Sequence, residues 1–352
     1  MSFGPTAAET DEAGNLAAMH AGDADAFAAV TEPYRRQLHV HCYRMLGSFD
    51  DAEDMVQETM LRAWRGRLSF EGRSLLRTWL YRIATNTCLH ALERVPRRVM
   101  PSDVVPPITT ATDSSQARDT PPWRPELPWL QPYPDALLEP AAPSATEPDA
   151  VAISRETIEL TFLAALQHLP PRQRAVLILS DVLGWSAKET AGILEWTVAA
   201  VNSALQRARS TMRTRLPAGR QEWVATSPRS VDEQAVLKTY MDAWERADVA
   251  LLTDLLREDA RWAMPPAALW FDGRPAITKL FELYPIDRRG DFRMAPTAAN
   301  RHPAAAAYLR LTGESEYRLV SLNVLRIEHG KIVEVTTFAS SLCRAFNLQR
   351  TM

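Results

Sequence analysis

Residues Trp185 to Arg209 read WSAKETAGILEWTVAAVNSALQRAR, and the fold of the chain is read outward from this stretch. Apolar residues recur at helical spacing in two short runs: Ala191, Ile193 and Leu194 in the first, then Val198, Val201, Leu205 and Ala208 in the second. Thr197 stands where a side-chain oxygen would cap the second run. Two short helices joined by a tight break make a helix-turn-helix, whose second helix can lie in the major groove of DNA. Upstream, Leu169-Pro170-Pro171-Arg172-Gln173-Arg174 opens a helix, because proline is tolerated in a first turn, and Gly184 closes it. On the last helix Val201, Leu205 and Ala208 are expected inside. Ala199, Ala200, Asn202, Ser203, Gln206 and Arg207 are expected outside. Asn and Gln can bond an adenine edge bidentately, whereas Arg prefers guanine or phosphate. Arg209, Arg213 and Arg215 are expected at phosphate or in solvent.

The chain has 352 residues, with 40 Lys and Arg against 43 Asp and Glu, for a formal net charge of -3. Coating nucleic acid without regard to sequence needs broad basic surface, so that class is excluded, while a local basic face is not. The length suits about two or three domains. Cys42, Cys88 and Cys343 stand far apart at no metal-ligand spacing. They read as inert thiols in a reducing compartment, and neither metal nor cofactor is expected. No apolar run reaches membrane-spanning length, and the N-terminus lacks a basic-then-apolar signal. Both facts predict a cytoplasmic protein with no membrane partner. The small, acidic first dozen residues are expected to fray.

Three folded segments and one linker follow from the pattern. Residues 17–93 read as helical almost throughout. Residues 94–150 hold Pro106, Pro107, Pro121, Pro122, Pro125, Pro128, Pro132 and Pro134. Proline removes a backbone donor and turns its predecessor away from helix, so no regular domain forms there. The same stretch carries Trp123, Trp129, Leu130, Tyr133, Leu137 and Leu138. Those are too many large apolar groups for a solvated tether, which predicts that the linker lies on a neighbouring domain or on a partner. Residues 153–216 form a helical bundle ending in the helix-turn-helix. Residues 231–346 open with an amphipathic helix carrying Val236, Leu237, Tyr240, Met241 and Trp244 on one face. They close with alternating runs, Tyr317 to Glu328 and Lys331 to Phe338, about a His329-Gly330 turn. Helices followed by strands imply an α+β unit.

In the first segment, Phe49 to Trp64 reads FDDAEDMVQETMLRAW. Ala52, Met55, Val56, Thr59, Met60 and Ala63 share one helical face, and Asp50, Asp51, Asp54, Gln57 and Glu58 lie mostly on the other. That charged face is either solvated or docks on a basic partner, where complementary charge gives steering and register. Arg73 to Leu92 reads RSLLRTWLYRIATNTCLHAL, with Arg73, Arg77 and Arg82 recurring among Trp79, Tyr81 and Asn86. Basic groups can track phosphates while aromatics stack on unpaired bases; taken alone, Trp79 and Leu80 read as core.

The pairing of DAEDMVQETMLRAW with RTWLYRIATNTCL resembles region two of bacterial extracytoplasmic-function sigma factors. LPPRQRAVLILSDVLGWSAKETAGIL followed by AAVNSALQRAR resembles their region four. The linker with LQPYPDALL and the C-terminal extension resemble a subgroup fused to a SnoaL-like domain. The resemblance implies two all-α domains, the second with the helix-turn-helix, followed by an α+β cone-shaped domain of the SnoaL and NTF2-like kind. It implies an initiation factor that binds promoter DNA and core RNA polymerase, at the clamp coiled coil and the flap. Asp51, Asp54, Gln57 and Glu58 match the polymerase-docking pattern. Arg73, Arg77, Arg82 and Asn86 fall in the stretch that recognises and opens the minus-ten element. The loop from Gly66 to Gly72 would hold a flipped base, whose extraction costs a few kcal/mol. Ala199, Ala200, Asn202, Ser203, Gln206 and Arg207 fall in the reader of the minus-thirty-five element. There are two departures. Met60 stands where the family often has an aromatic. Asn202 and Ala204 stand where it often has basic residues, which implies weaker phosphate affinity and an unusual minus-thirty-five sequence.

Some proteins of the cone-shaped class are isomerases or cyclases that hold an acid or base in an apolar cavity. Asp272, His302, Tyr308, Tyr317 and His329 are the residues of suitable chemistry here. Asp272 and His329 read as turn residues, His302 precedes a proline, and no pair stands at convincing spacing, so no catalytic residue is expected. Trp262, Met264, Trp270 and Phe281 are candidates to line a pocket for a small ligand. The chain therefore reads as a non-enzymatic initiation factor modulated by its C-terminal domain. The alternatives are a ligand-sensing helix-turn-helix regulator that never meets polymerase, and a DNA-targeted isomerase or cyclase.

Overall fold

The computed structural model describes residues 7–70, 75–94, 96–109, 123–138, 158–216, 231–283, 285–286 and 290–352. The chain divides into two compact units, Met1–Arg97 with Ala165–Pro217, and Arg98–Ala164 with Ala218–Met352. The expected fraying of the N-terminus falls partly outside the described residues, and from Ala7 onward the backbone is helical.

The first unit is built from α1 (Ala7–Ala21), α2 (Ala24–Leu46), α3 (Phe49–Arg65), α4 (Leu76–Leu92), the end of α5 (Leu160–Gln167), α6 (Pro171–Leu177), α7 (Ala187–Leu194) and α8 (Val198–Arg215). Local chemistry sets the boundaries. Asp23 caps α2 by accepting from Asp25 N at 2.9 Å and Ala26 N at 3.1 Å. Gly47 ends that helix at φ 69, a left-handed conformation that glycine adopts without steric cost. Ser48 at once caps α3 through Asp51 N at 3.2 Å. The core between α2, α3 and α4 holds Leu38, Val40, Tyr43, Met45, Val56, Leu80, Ala84 and Cys88, all essentially inaccessible.

The helix-turn-helix forms where the sequence places it. Ser186 and Glu189 make a reciprocal capping box on α7, with Ser186 N to Glu189 Oε2 at 2.8 Å and Glu189 N to Ser186 Oγ at 3.2 Å. Thr197 caps α8 through Ala200 N at 3.2 Å. The inward face of α8 is Val201, Ala204, Ala208 and Met212. This corrects the expected set: Leu205 is only half-buried, and Val198, in the first turn, is 43% exposed. Upstream, α6 runs into a π-turn at Ile178–Val182, and Gly184 ends it at φ 72.

The second unit holds α9 (Val231–Glu245), α10 (Val249–Leu255), α11 (Arg274–Leu283) and a six-stranded sheet. Its strands are β1 (Leu256–Ala263), β2 (Trp270–Asp272), β3 (Asp291–Ala299), β4 (His302–Arg310), β5 (Arg318–Glu328) and β6 (Lys331–Ala339), in the order β2-β1-β6-β5-β4-β3. β1 pairs with β6 in parallel and every other neighbour is antiparallel. The β5–β6 hairpin turns on His329 and Gly330, both at positive φ, as a two-residue turn between right-twisted strands requires.

Within this unit the described linker residues, 98–109 and 123–138, are folded rather than slack. Ile108 adds itself to edge strand β2, its N–H on Trp270 O at 2.9 Å and its carbonyl on Asp272 N at 3.2 Å. Tyr133 N donates to Asn300 Oδ1 at 2.8 Å, and Asn300 N returns a bond to Tyr133 O at 2.9 Å. Trp129, Leu130, Tyr133 and Leu138 are at most 2% exposed. Of the two placements left open for the linker, its described residues take the neighbouring domain.

Candidate nucleic-acid interface

Helix α3 buries Ala52, Val56, Thr59 and Ala63 and turns its acidic face outward. Asp54 and Gln57 are exposed, while Asp51 and Glu58 are half-buried. Neighbouring charges are already matched: Glu58 Oε1 accepts from Arg62 Nε at 2.7 Å, and Glu53 Oε1 from Arg35 Nη2 at 3.0 Å and Gln57 Nε2 at 3.3 Å. Asp54 forms no ion pair among the described residues. Met60 is half-buried.

The basic side of α4 meets protein. Arg77 is half-buried, its guanidinium carbon 5.5 Å from the Tyr81 ring centroid and 5.6 Å from that of Trp185. Trp185 in turn stands edge-on to Tyr81 at 5.1 Å. Arg82 is exposed, and its Nη2 pairs with Glu195 Oε1 at 2.5 Å. Asn86 is half-buried, and Arg73 lies outside the described residues. Arg174 ties α6 to the end of α2 and to the end of α5. At 1% exposure it donates to Met45 O, to Gln167 Oε1 at 2.7 Å, to Gln167 O at 3.0 Å and to Leu169 O at 3.2 Å. Burial lowers its pKa to about 10, so it keeps its charge at neutral pH. Leu68, in the turn after α3, is 70% exposed, and Leu75, just before α4, is 78% exposed. Leu68 lies within the loop that the sequence assigned to an unpaired base, and Leu75 stands three residues beyond it. Trp185, Glu195 and Arg174 were missed as contact residues. The one available signal was a glutamate in the turn, where Glu195 sits at φ 57, a conformation that favours Gly or Asn.

Helix α8 presents Ala199, Ala200, Asn202, Ser203, Gln206 and Arg207 to solvent together. Asn202 and Gln206 are one turn apart, as are Ser203 and Arg207, which bond at 2.6 Å. Arg209 is held by Asp181 through two bonds of 2.9 and 2.6 Å. Arg213 and Arg215 stay exposed. Ala204 is wholly inaccessible. A basic side chain there would enter the core, so the departure read at that position carries no consequence for phosphate binding, while Asn202 is exposed.

In the second unit the residues of catalytic chemistry scatter. Asp272 pairs with Arg261 at 3.1 Å, and buried His302 stands 3.7 Å from Glu159. Tyr308 is buried, which raises its phenol pKa. Tyr317 lies between Arg293 and Arg310, and His329 is at the exposed hairpin tip. None of the five lines the cavity of ≈ 320 Å³ between the sheet and its helices. Trp262, Met264 and Phe281 do line it. Trp270 does not, and spends its indole N–H on Val105 O at 2.9 Å.

These features agree with the comparisons. Residues 30–98 match the family model Sigma-70 region 2, residues 159–212 match Sigma-70, region 4, and residues 237–335 match the SnoaL-like domain. The chain is 46% identical over 285 residues to the ECF RNA polymerase sigma factor SigG of Mycobacterium tuberculosis, covering 81% of this chain and 74% of that one. It is 30% identical over 195 residues to SigW of Bacillus subtilis, covering 55% of this chain and 91% of the relative. The crystal structure of the M. tuberculosis extracytoplasmic function sigma factor SigJ shares its fold, with a TM-score of 0.58 at 19% identity over 91% of this chain and 99% of that chain. With both helical regions in the family's order and a close relative across most of the chain, this protein belongs to the extracytoplasmic-function RNA polymerase sigma factors, which direct promoter-specific transcription initiation.

Proposed function

We propose that the chain docks on the clamp coiled coil of core RNA polymerase through Asp51, Asp54, Gln57 and Glu58, with region four resting on the flap. The observation that carries this reading is the acidic face of α3, where Asp54 is exposed with no ion pair among the described residues. Arg73, Arg77, Arg82 and Asn86 then serve the minus-ten element, and exposed Leu68 and Leu75 offer apolar surface to unstacked bases. Ala199, Ala200, Asn202, Ser203, Gln206 and Arg207 serve the minus-thirty-five element. In the free chain two of these groups are occupied. The Arg82–Glu195 pair, with both side chains about half exposed or more, is worth about 0.2–1 kcal/mol and exchanges readily for phosphate. Arg77 is different: it reaches DNA only when α4 parts from Trp185. The C-terminal domain acts on initiation through the linker it holds, not through turnover.

The test is recovery of core polymerase on the immobilised full-length chain, wild type against Asp54→Arg. The substitution lies on an exposed position and leaves the core of α3 untouched. Recovery should fall by about tenfold or more, since reversing a charge at a complementary interface costs several kcal/mol. Equal recovery would overturn the docking assignment.

A further inference from the structure

The cavity of the C-terminal domain has walls of one character. Trp244, Trp262, Phe281, Ile286 and Phe292 line it, and apart from indole N–H groups, of which Trp244 Nε1 is buried without a hydrogen bond, its polar lining among the described residues is Ser321, Asn323 and Thr337. At ≈ 320 Å³ it falls at the lower end of small-molecule sites. Its hydrogen bonds run in one direction. The Trp262 indole N–H can only donate, and it gives its proton to Thr337 Oγ1 at 2.9 Å. The Thr337 hydroxyl passes its own proton to Asn323 Oδ1 at 2.8 Å. That relay fixes the amide orientation of Asn323, which is 3% exposed, and leaves Nδ2 as its remaining polar end. Nδ2 makes no hydrogen bond among the described residues. An amide donor left without a protein partner at a largely apolar wall offers an incoming acceptor one hydrogen bond.

We infer that this cavity is a binding site for a neutral, flat, largely apolar molecule carrying a carbonyl oxygen, which accepts from Asn323 Nδ2. The described lining has no Arg, Lys or His, so a carboxylate or phosphate would enter uncompensated and is rejected. It has no Asp, Glu, His, Tyr or Cys either, so the described site offers no group to move a proton: it binds and does not turn over. The linker supplies part of the wall. Trp123 lines the cavity while its backbone bridges to Ala267, and Arg124 N bonds Pro266 O at 3.0 Å. Occupancy therefore bears on the segment that joins the two DNA-reading regions. The site stands or falls independently of how the chain meets polymerase.

Equilibrium dialysis of the full-length chain against three probes of one shape tests it: 9-fluorenone, fluorene, and fluorene-9-carboxylate. Fluorenone should bind about tenfold more tightly than fluorene, the margin of one buried hydrogen bond. The carboxylate should bind roughly a hundredfold more weakly or not at all. Ala307→Leu, which fills the cavity from β4, should abolish fluorenone binding, and Trp123→Ala should weaken it. No binding of any probe to the wild type, fluorene as tight as fluorenone, or the carboxylate as tight as the ketone would each overturn the inference. The wild-type series decides the matter even where a variant fails to fold.

Discussion

Acid should loosen the helical unit through one buried ring. His41 on α2 is inaccessible, with Nε2 2.9 Å from Thr85 Oγ1 on α4 and Nδ1 unpartnered among the described residues. Burial, and to a lesser degree the neighbouring Arg44 charge, lowers its pKa from 6.5 to about 3. The unfolded chain takes up a proton on this ring below pH 6.5, and the folded chain refuses it until about pH 3. Stability is therefore whole above pH 6.5 and drains away as the pH falls through that window. Going from pH 7 to pH 5 removes about 2 kcal/mol, at about 1.4 kcal/mol per pH unit once the unfolded ring is charged. His39 acts in the same sense: burial lowers it to about 4, with Glu53 opposing and Arg35 assisting. Urea titrations at the two pH values, read by hydrogen exchange in peptides from α2 and α4 and corrected for intrinsic rates, measure the effect. His41→Gln keeps a polar partner for Thr85 without titrating. The wild type should lose about 2 kcal/mol more than His41→Gln between pH 7 and pH 5. Equal losses in the two proteins would refute the reasoning.

Two further outcomes are expected. Arg174→Met strands the carbonyls of Met45, Gln167 and Leu169 in the interior, and should destabilise the helical unit by about 3–5 kcal/mol in a thermal or urea melt, with Arg174→Lys intermediate. On a randomised minus-thirty-five element, Asn202→Ala should change base preference at its position by about 1–3 kcal/mol, whereas Arg213→Ala should weaken every sequence alike and flatten the salt dependence; unchanged preference removes Asn202 from the base-reading set.

Helices announced themselves in this sequence because period and punctuation agree. Thr197 caps α8 and Gly184 ends the helix before α7, and the acidic and apolar faces of α3 separate as their spacing requires. What stayed hidden was long-range. No local pattern says that Arg174 reaches the end of α2, or that Trp185 and Glu195 cover the arginines of α4, since such contacts join positions with no fixed spacing. β4 was equally opaque: HPAAAAYLR carries four alanines, a helix-favouring run, and becomes a buried strand only because both neighbours pair with it. The parallel β1–β6 pairing leaves no hairpin signal. Trp262 and Trp270 look alike in sequence, and only their strands decide that one faces the cavity and the other the linker.

The folded linker changes what truncation can mean. Trp129, Leu130, Tyr133 and Leu138 are shielded within the unit that contains the C-terminal domain, and Tyr133 is stitched to Asn300 there. A chain cut before residue 231 strips that cover and lays bare large apolar side chains on a tether between its two DNA-reading halves, an invitation to self-association. Loss of function in such a fragment would report a sticky connector as readily as a missing regulator, so point substitutions in the intact chain are the cleaner dissection.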